Sequence, residues 1–204
     1  MGNKKYSHTI PKFDKKFFAT HEISKYSAAN IYYYCIDDSL DEMFDTSEQM
    51  AKGKGFGIPD RSEELSEIQL LTDPLAIVNY MRTLTAMPNR NALVEKIKEY
   101  SDSTMPLIIN RYMTSGLDHF IEIAGHCFIK NDAQYLSELK KRYPEIRNPY
   151  AKAVACLVFS MRGIECDGEF LYGEYLKFQR MYPDESYEDF PLLGLHILYE
   201  NNML

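Results

Sequence analysis

Proline leads the strongest apolar runs of this chain, and twice it does so directly behind a capping side chain. Asp73-Pro74 opens Leu75, Val78, Met81 and Leu84, and Asn148-Pro149 opens a run that is apolar nearly all round, from Ala151 through Phe159 to Met161. The side-chain oxygen of a cap accepts from a free N–H of the first helical turn. Proline at the first helical position loses nothing, because its missing N–H had no partner there. Apolar residues three and four apart lie on one helix face.

The same punctuation recurs along the chain. Helices are expected over Ile23–Cys35 and from Ser39, where Ser39-x-x-Glu42 is a capping box, to Gly53. Further starts are read at Asp60-x-x-Glu63, Asn89, Thr104-Met105-Pro106, Leu117, Asn131, Asp167-Gly168 and Pro191. Gly163 and the prolines Pro144 and Pro183 read as stops. No segment alternates as a half-buried strand would, so the fold class is all-α.

Some of these segments look alike. Pro74-Leu75-Ala76-Ile77-Val78-Asn79-Tyr80-Met81 can be laid on Pro106-Leu107-Ile108-Ile109-Asn110-Arg111-Tyr112-Met113, and Pro149 and Pro191 lead helices that start the same way. Gln134-Tyr135-Leu136, ending in Arg142-Tyr143-Pro144, echoes Glu174-Tyr175-Leu176, ending in Met181-Tyr182-Pro183. Over about residues 74–200 this resembles HEAT or armadillo-like repeats, and not tetratricopeptide repeats, whose Trp-containing pattern is absent from a chain without Trp. The resemblance implies an α-solenoid: antiparallel helical hairpins stacked into a right-handed superhelix, each burying an apolar face that it cannot bury alone. The other reading is an irregular helical bundle in which the likeness comes from ordinary capping. The glycine-dense stretch 52–60 marks a boundary between an N-terminal helical segment with a basic arm, 1–60, and a helical-hairpin body, 61–204.

Charge and cysteine usage limit the setting. Residues 1–25 hold six Lys against Asp14 and Glu22, a net +4 in a chain of net −7, which leaves −11 on the rest. An acidic body repels phosphate backbones, so nucleic acid is not expected as the main partner. The lysine-rich start reads as a solvated terminus, or as an arm for nucleic acid. No apolar run nears the roughly 18 residues of a membrane span, and no apolar segment follows the N-terminus as in a secretory signal. Four scattered cysteines, Cys35, Cys127, Cys156 and Cys166, suggest reduced thiols in a cytoplasm.

Candidate chemistry is sparse. His119, Glu122 and His126 fall within about a 60° arc of one helix face, where imidazoles and a carboxylate could hold a divalent metal. The apolar residues of that helix point the other way, so a solvated polar stripe is the competing reading. Gly53-Lys54-Gly55-Phe56-Gly57 lacks the strand and helix of a phosphate loop. Cys166 lies among Glu165, Asp167 and Glu169, which should raise its thiol pKa and leave it a poor nucleophile. His196, in an apolar helix, reads as a core residue with one hydrogen-bond partner. The 16 tyrosines suit interfaces as well as cores.

Taken together, these features point to a non-enzymatic, cytoplasmic protein-binding module that offers an acidic, tyrosine-rich helical surface to a partner with a basic one, with no cofactor expected. The alternative is a metal-dependent enzyme or metal-binding helical protein built around His119, Glu122 and His126.

Overall fold

Three of the expected caps are in place. Asp73 Oδ2 accepts from the Ala76 N–H at 2.7 Å, Asn148 Oδ1 from the Tyr150 N–H at 2.9 Å, and Asp167 Oδ1 from the Phe170 N–H at 2.7 Å. They belong to a computed structural model that describes residues 9–21, 50, 53–54, 60–83, 85, 87–163 and 166–204. The helices expected over Ile23–Cys35 and from Ser39 to Gly53 fall almost wholly outside the described residues, as does most of the glycine-dense stretch.

In chain order the helices are α1 (Lys15–Thr20), α2 (Ser62–Leu70), α3 (Pro74–Tyr80), α4 (Met87–Glu99), α5 (Ser101–Tyr112), α6 (Asp118–Lys130) and α7 (Ala133–Arg142). After a single 3-10 turn, Tyr143–Glu145, come α8 (Pro149–Arg162), α9 (Gly168–Met181) and α10 (Asp189–Glu200). No strand occurs among the described residues, and none of their helices is long and apolar enough to cross a membrane.

Alternate helices pack side by side. α2 lies against α4, α4 against α6, α6 against α8, and α8 against α10. α3, α5 and α7 form a second row in the same way. Sequence neighbours join the rows: α3 with α4, α4 with α5, α5 with α6, and α6 with α7. The core is drawn from nearly every helix, including Ile77, Leu93, Ile108, Phe120, Leu139, Phe159 and Leu195, all fully buried. Full burial of a side chain as large as Phe159 contributes about 1.5–3 kcal/mol. α8 is buried continuously from Ala153 to Ser160, as its all-round apolarity predicts. It ends at Gly163, whose φ of 59° is the left-handed conformation glycine adopts most cheaply.

Other starts differ from expectation, and tertiary contacts explain the difference. α5 begins at Ser101, a turn before Thr104, and carries Pro106 inside it. An interior proline forfeits one ladder hydrogen bond. Here the helix buries Met105, Ile108, Ile109 and Tyr112, and Thr104 Oγ1 ties the turn to the Ile97 and Tyr100 carbonyls at 2.9 and 3.0 Å. Asn89 lies within α4, where its Nδ2 donates to the Arg61 carbonyl at 3.2 Å and to Glu64. Asn131 closes α6, donating to the Cys127 carbonyl at 2.9 Å, instead of opening α7.

The described part of the lysine-rich N-terminal segment, residues 9–21, is not a free arm. Asp14 caps the short α1, and Phe17, 7% exposed, is turned into the core. Phe13 meets the Tyr172 ring of α9 with ring centres 5.8 Å apart, and Phe18 meets His196 and Tyr199 of α10 at 5.2 and 4.9 Å. His196 is accordingly half-exposed, with its Nδ1 3.4 Å from Glu200 Oε1, and is not a core residue.

Candidate functional site

α6 carries His119, Glu122 and His126, and its neighbours engage them separately. His119 Nε2 donates to the Arg82 carbonyl at 2.8 Å. Glu122 Oε2 accepts from Arg90 Nη1 of α4 at 3.2 Å, and its Oε1 accepts from the Tyr150 hydroxyl of α8 at 3.0 Å. His126 is buried, 8% exposed. The three do not form a water-facing stripe, because Glu122 is tied to α4 and α8 and His126 is buried. Among the described residues, no group of three or more His, Cys, Asp or Glu is placed to hold a metal ion.

The Tyr150–Glu122 bond belongs to a set. Tyr80 donates to Glu67 at 3.0 Å, Tyr135 to Asp102 at 3.0 Å, and Tyr143 to Glu174 at 2.7 Å. Each phenol, buried at Tyr135 and Tyr143 and partly buried at Tyr80 and Tyr150, gives its hydroxyl to a carboxylate on another helix, which is how an amphipathic side chain satisfies its polar tip. Burial raises the pKa of all four phenols, Tyr80 to about 12. Four of the 16 tyrosines therefore serve as cross-links between helices.

Surface cavities lie between several of the described helices. One, of about 410 Å³, lies between α2 and α3 and is lined by Asp60, Glu63, Glu64, Glu67, Tyr80 and Thr83. The Ser62 N–H, 3.0 Å from Asp60 Oδ1, holds the Asp60 carboxyl below its ordinary value. A second, also about 410 Å³, runs between α5 and α7 past Pro106, Asn110, Tyr135, Glu138 and Arg142. A third, of about 230 Å³, sits where α3, α5 and α6 end or begin, between Arg82 and Arg111.

Cys166 has the raised pKa expected of it, about 12, but burial is the main cause; Asp167 adds to the rise and Lys140 opposes it. Lys140 Nζ lies 2.9 Å from the centre of the Phe170 ring and 4.8 Å from that of Phe159, with no hydrogen-bond partner, and burial lowers its pKa. Sequence reasoning missed this contact and the Arg82–Arg111 cavity, since neither has a local motif. Laying Asn79-Tyr80-Met81 on Arg111-Tyr112-Met113 puts a polar residue ahead of Tyr-Met at comparable helix ends.

Comparison with protein-family models, with curated proteins and with solved structures gives no match to this chain.

Proposed function

We propose that this chain is a non-enzymatic protein-binding module of α-solenoid type, a right-handed array of antiparallel helical hairpins that docks a basic partner on an acidic, tyrosine-bearing surface. The observation that carries the reading is the groove between α2 and α3, where Asp60, Glu63, Glu64 and Glu67 line about 410 Å³ beside Tyr80. Carboxylates massed on an open groove steer a cationic partner and set its register. The two-row packing supports the array, since helices that contact their second neighbours are what stacked hairpins require. No disulfide joins Cys127, Cys156 and Cys166, which supports a cytoplasmic setting.

The test is fluorescence anisotropy of a labelled peptide of alternating Lys and Ala, titrated with the full chain at low and at physiological salt. Saturable binding that weakens with salt is expected. Glu63→Gln with Glu67→Gln, both exposed positions, should weaken it about tenfold, the loss of roughly one charged contact at 1.4 kcal/mol. Absence of binding at low salt, or equal affinity in the double variant, overturns the reading.

A further inference from the structure

We propose that the cavity between Arg82 and Arg111 is a binding site for a phosphoryl oxyanion, free or at the end of a larger molecule. An open cavity of about 230 Å³ is lined by these two arginines with Thr114, Ser115, Gly116 and Leu117. No lining residue is acidic. Asp118 follows the lining in sequence, but its charge acts on Tyr150 and Tyr187.

Arg111 is fixed in advance. Its Nη1 donates to the Val78 carbonyl at 3.1 Å and its Nη2 to Asn79 Oδ1 at 2.9 Å. Both acceptors are neutral, so they orient the guanidinium without cancelling its charge, and they use two of its five N–H donors. Arg82 stands exposed across the cavity, with its backbone carbonyl held by His119 Nε2 at 2.8 Å. The two cations are near enough that Arg82, after burial, is a cause of the lowered pKa of Arg111. Like charges repel, and in a chain of net −7 there is no shortage of carboxylates that could have faced them. Two arginines lining one cavity beside Thr114 and Ser115 are instead matched to an incoming oxyanion, since the guanidinium fork fits the oxygens of a phosphate and hydroxyls complete its shell. The volume corresponds to about seven or eight waters at roughly 30 Å³ each, enough for an oxyanion with part of its shell and too little for a drug-sized ligand.

The site is tested on the full chain by calorimetric titration with orthophosphate and, in a second arm, with O-phosphoserine, both against chloride at constant ionic strength. Saturable binding near about 1 mM in either arm is expected. Preference for orthophosphate identifies a free ion, and preference for the ester identifies a phosphoryl group on a larger molecule; both sustain the site. Arg82→Gln should weaken binding about tenfold or more with the melting temperature unchanged, because Arg82 is exposed, and Arg82→Lys should weaken it less. No saturable binding of either anion up to about 10 mM, or affinity indifferent to Arg82→Gln, overturns the proposal.

Discussion

Arg142 Nη1 donates to Asn110 Oδ1 at 2.6 Å, across the contact of α7 with α5 and 32 residues back along the chain. Arg111 Nη2 repeats the arrangement one step earlier, donating to Asn79 Oδ1 at 2.9 Å over the same interval. Other cross-links keep nearly that spacing. Arg90 reaches Glu122 over 32 residues, and Tyr135 to Asp102, Asn148 to the Ser115 carbonyl and Arg162 to the Ile129 carbonyl all span 33. An interval of 32 or 33 that recurs in these six cross-links means that the helices they join are offset by a similar length of chain. Register is thus set by polar bonds as well as by apolar packing. A double-mutant cycle on Asn110→Ala and Arg142→Ala should give a coupling of about 0.5 kcal/mol, small because the pair is exposed. Urea denaturation measures it. A coupling of zero would make the repeated geometry incidental to stability.

Gly194 sets how closely α10 approaches α8. A Cβ there would collide with Ser160 Oγ. Ser160 cannot swing aside cheaply, because its hydroxyl donates to the Cys156 and Leu157 carbonyls at 2.6 and 3.1 Å. Gly194→Ala should therefore destabilise the fold by about 1–3 kcal/mol despite the better helix propensity of alanine. Adding Ser160→Ala, which removes the obstructing oxygen, should recover part of that loss. If Gly194→Ala raises the urea midpoint, the helices are not in the close contact described.

What the sequence made legible was chemistry that acts within a turn. Asp73, Asn148 and Asp167 cap their helices because each partner N–H lies two or three residues away. Gly163 ends α8 for an equally local reason. Asn89 was misread because the acceptors that claim its amide, Arg61 and Glu64, are 28 and 25 residues distant. Pro106 was placed at a helix start because the cost of an interior proline is local, while the burial of α5 that offsets it is not. The same limit applies to the candidate sites. The helical spacing of His119, Glu122 and His126 was visible, but Arg90 and Tyr150, which engage Glu122, come from two other helices. The basic cavity joins Arg82 to the stretch from Arg111 to Phe120, and no motif links the two.

The tyrosine–carboxylate cross-links predict an alkaline transition. A phenol whose folded pKa lies above its unfolded value of 10.0 holds its proton more tightly in the folded state. The stability this confers is complete below pH 10 and is lost as the pH climbs through about 12, the value to which burial, aided by Glu67, raises Tyr80. Tyr135, Tyr143 and Tyr150 are raised as well, so the losses accumulate. Phenolate absorbance and helical circular dichroism should therefore change together between about pH 10 and 12. Tyrosines that ionise near pH 10 with the helical signal unchanged would show that the hydroxyls are not buried against their carboxylates.

Burial also decides the reactivity of the thiols. Cys127 and Cys156 are fully buried, and Cys166 is partly buried with a pKa raised from 9.0 to about 12. Only the thiolate attacks an alkylating agent, so at a pH well below either value a three-unit rise cuts the reactive fraction about a thousandfold. Iodoacetamide at pH 8, with modified peptides mapped by mass, should leave Cys166 almost unlabelled in the folded chain and label it readily in urea. Lys140 sharpens the test, since its ammonium is the one cause that holds the Cys166 pKa down. Lys140→Met removes that charge while keeping the stem that fills the space beside Phe170 and Phe159. Labelling of Cys166 should then slow further, because the charge that favours its thiolate is gone. If Lys140→Met speeds it instead, the substitution has opened the α9 end of the fold, and the packing of Lys140 against those rings matters more than its charge.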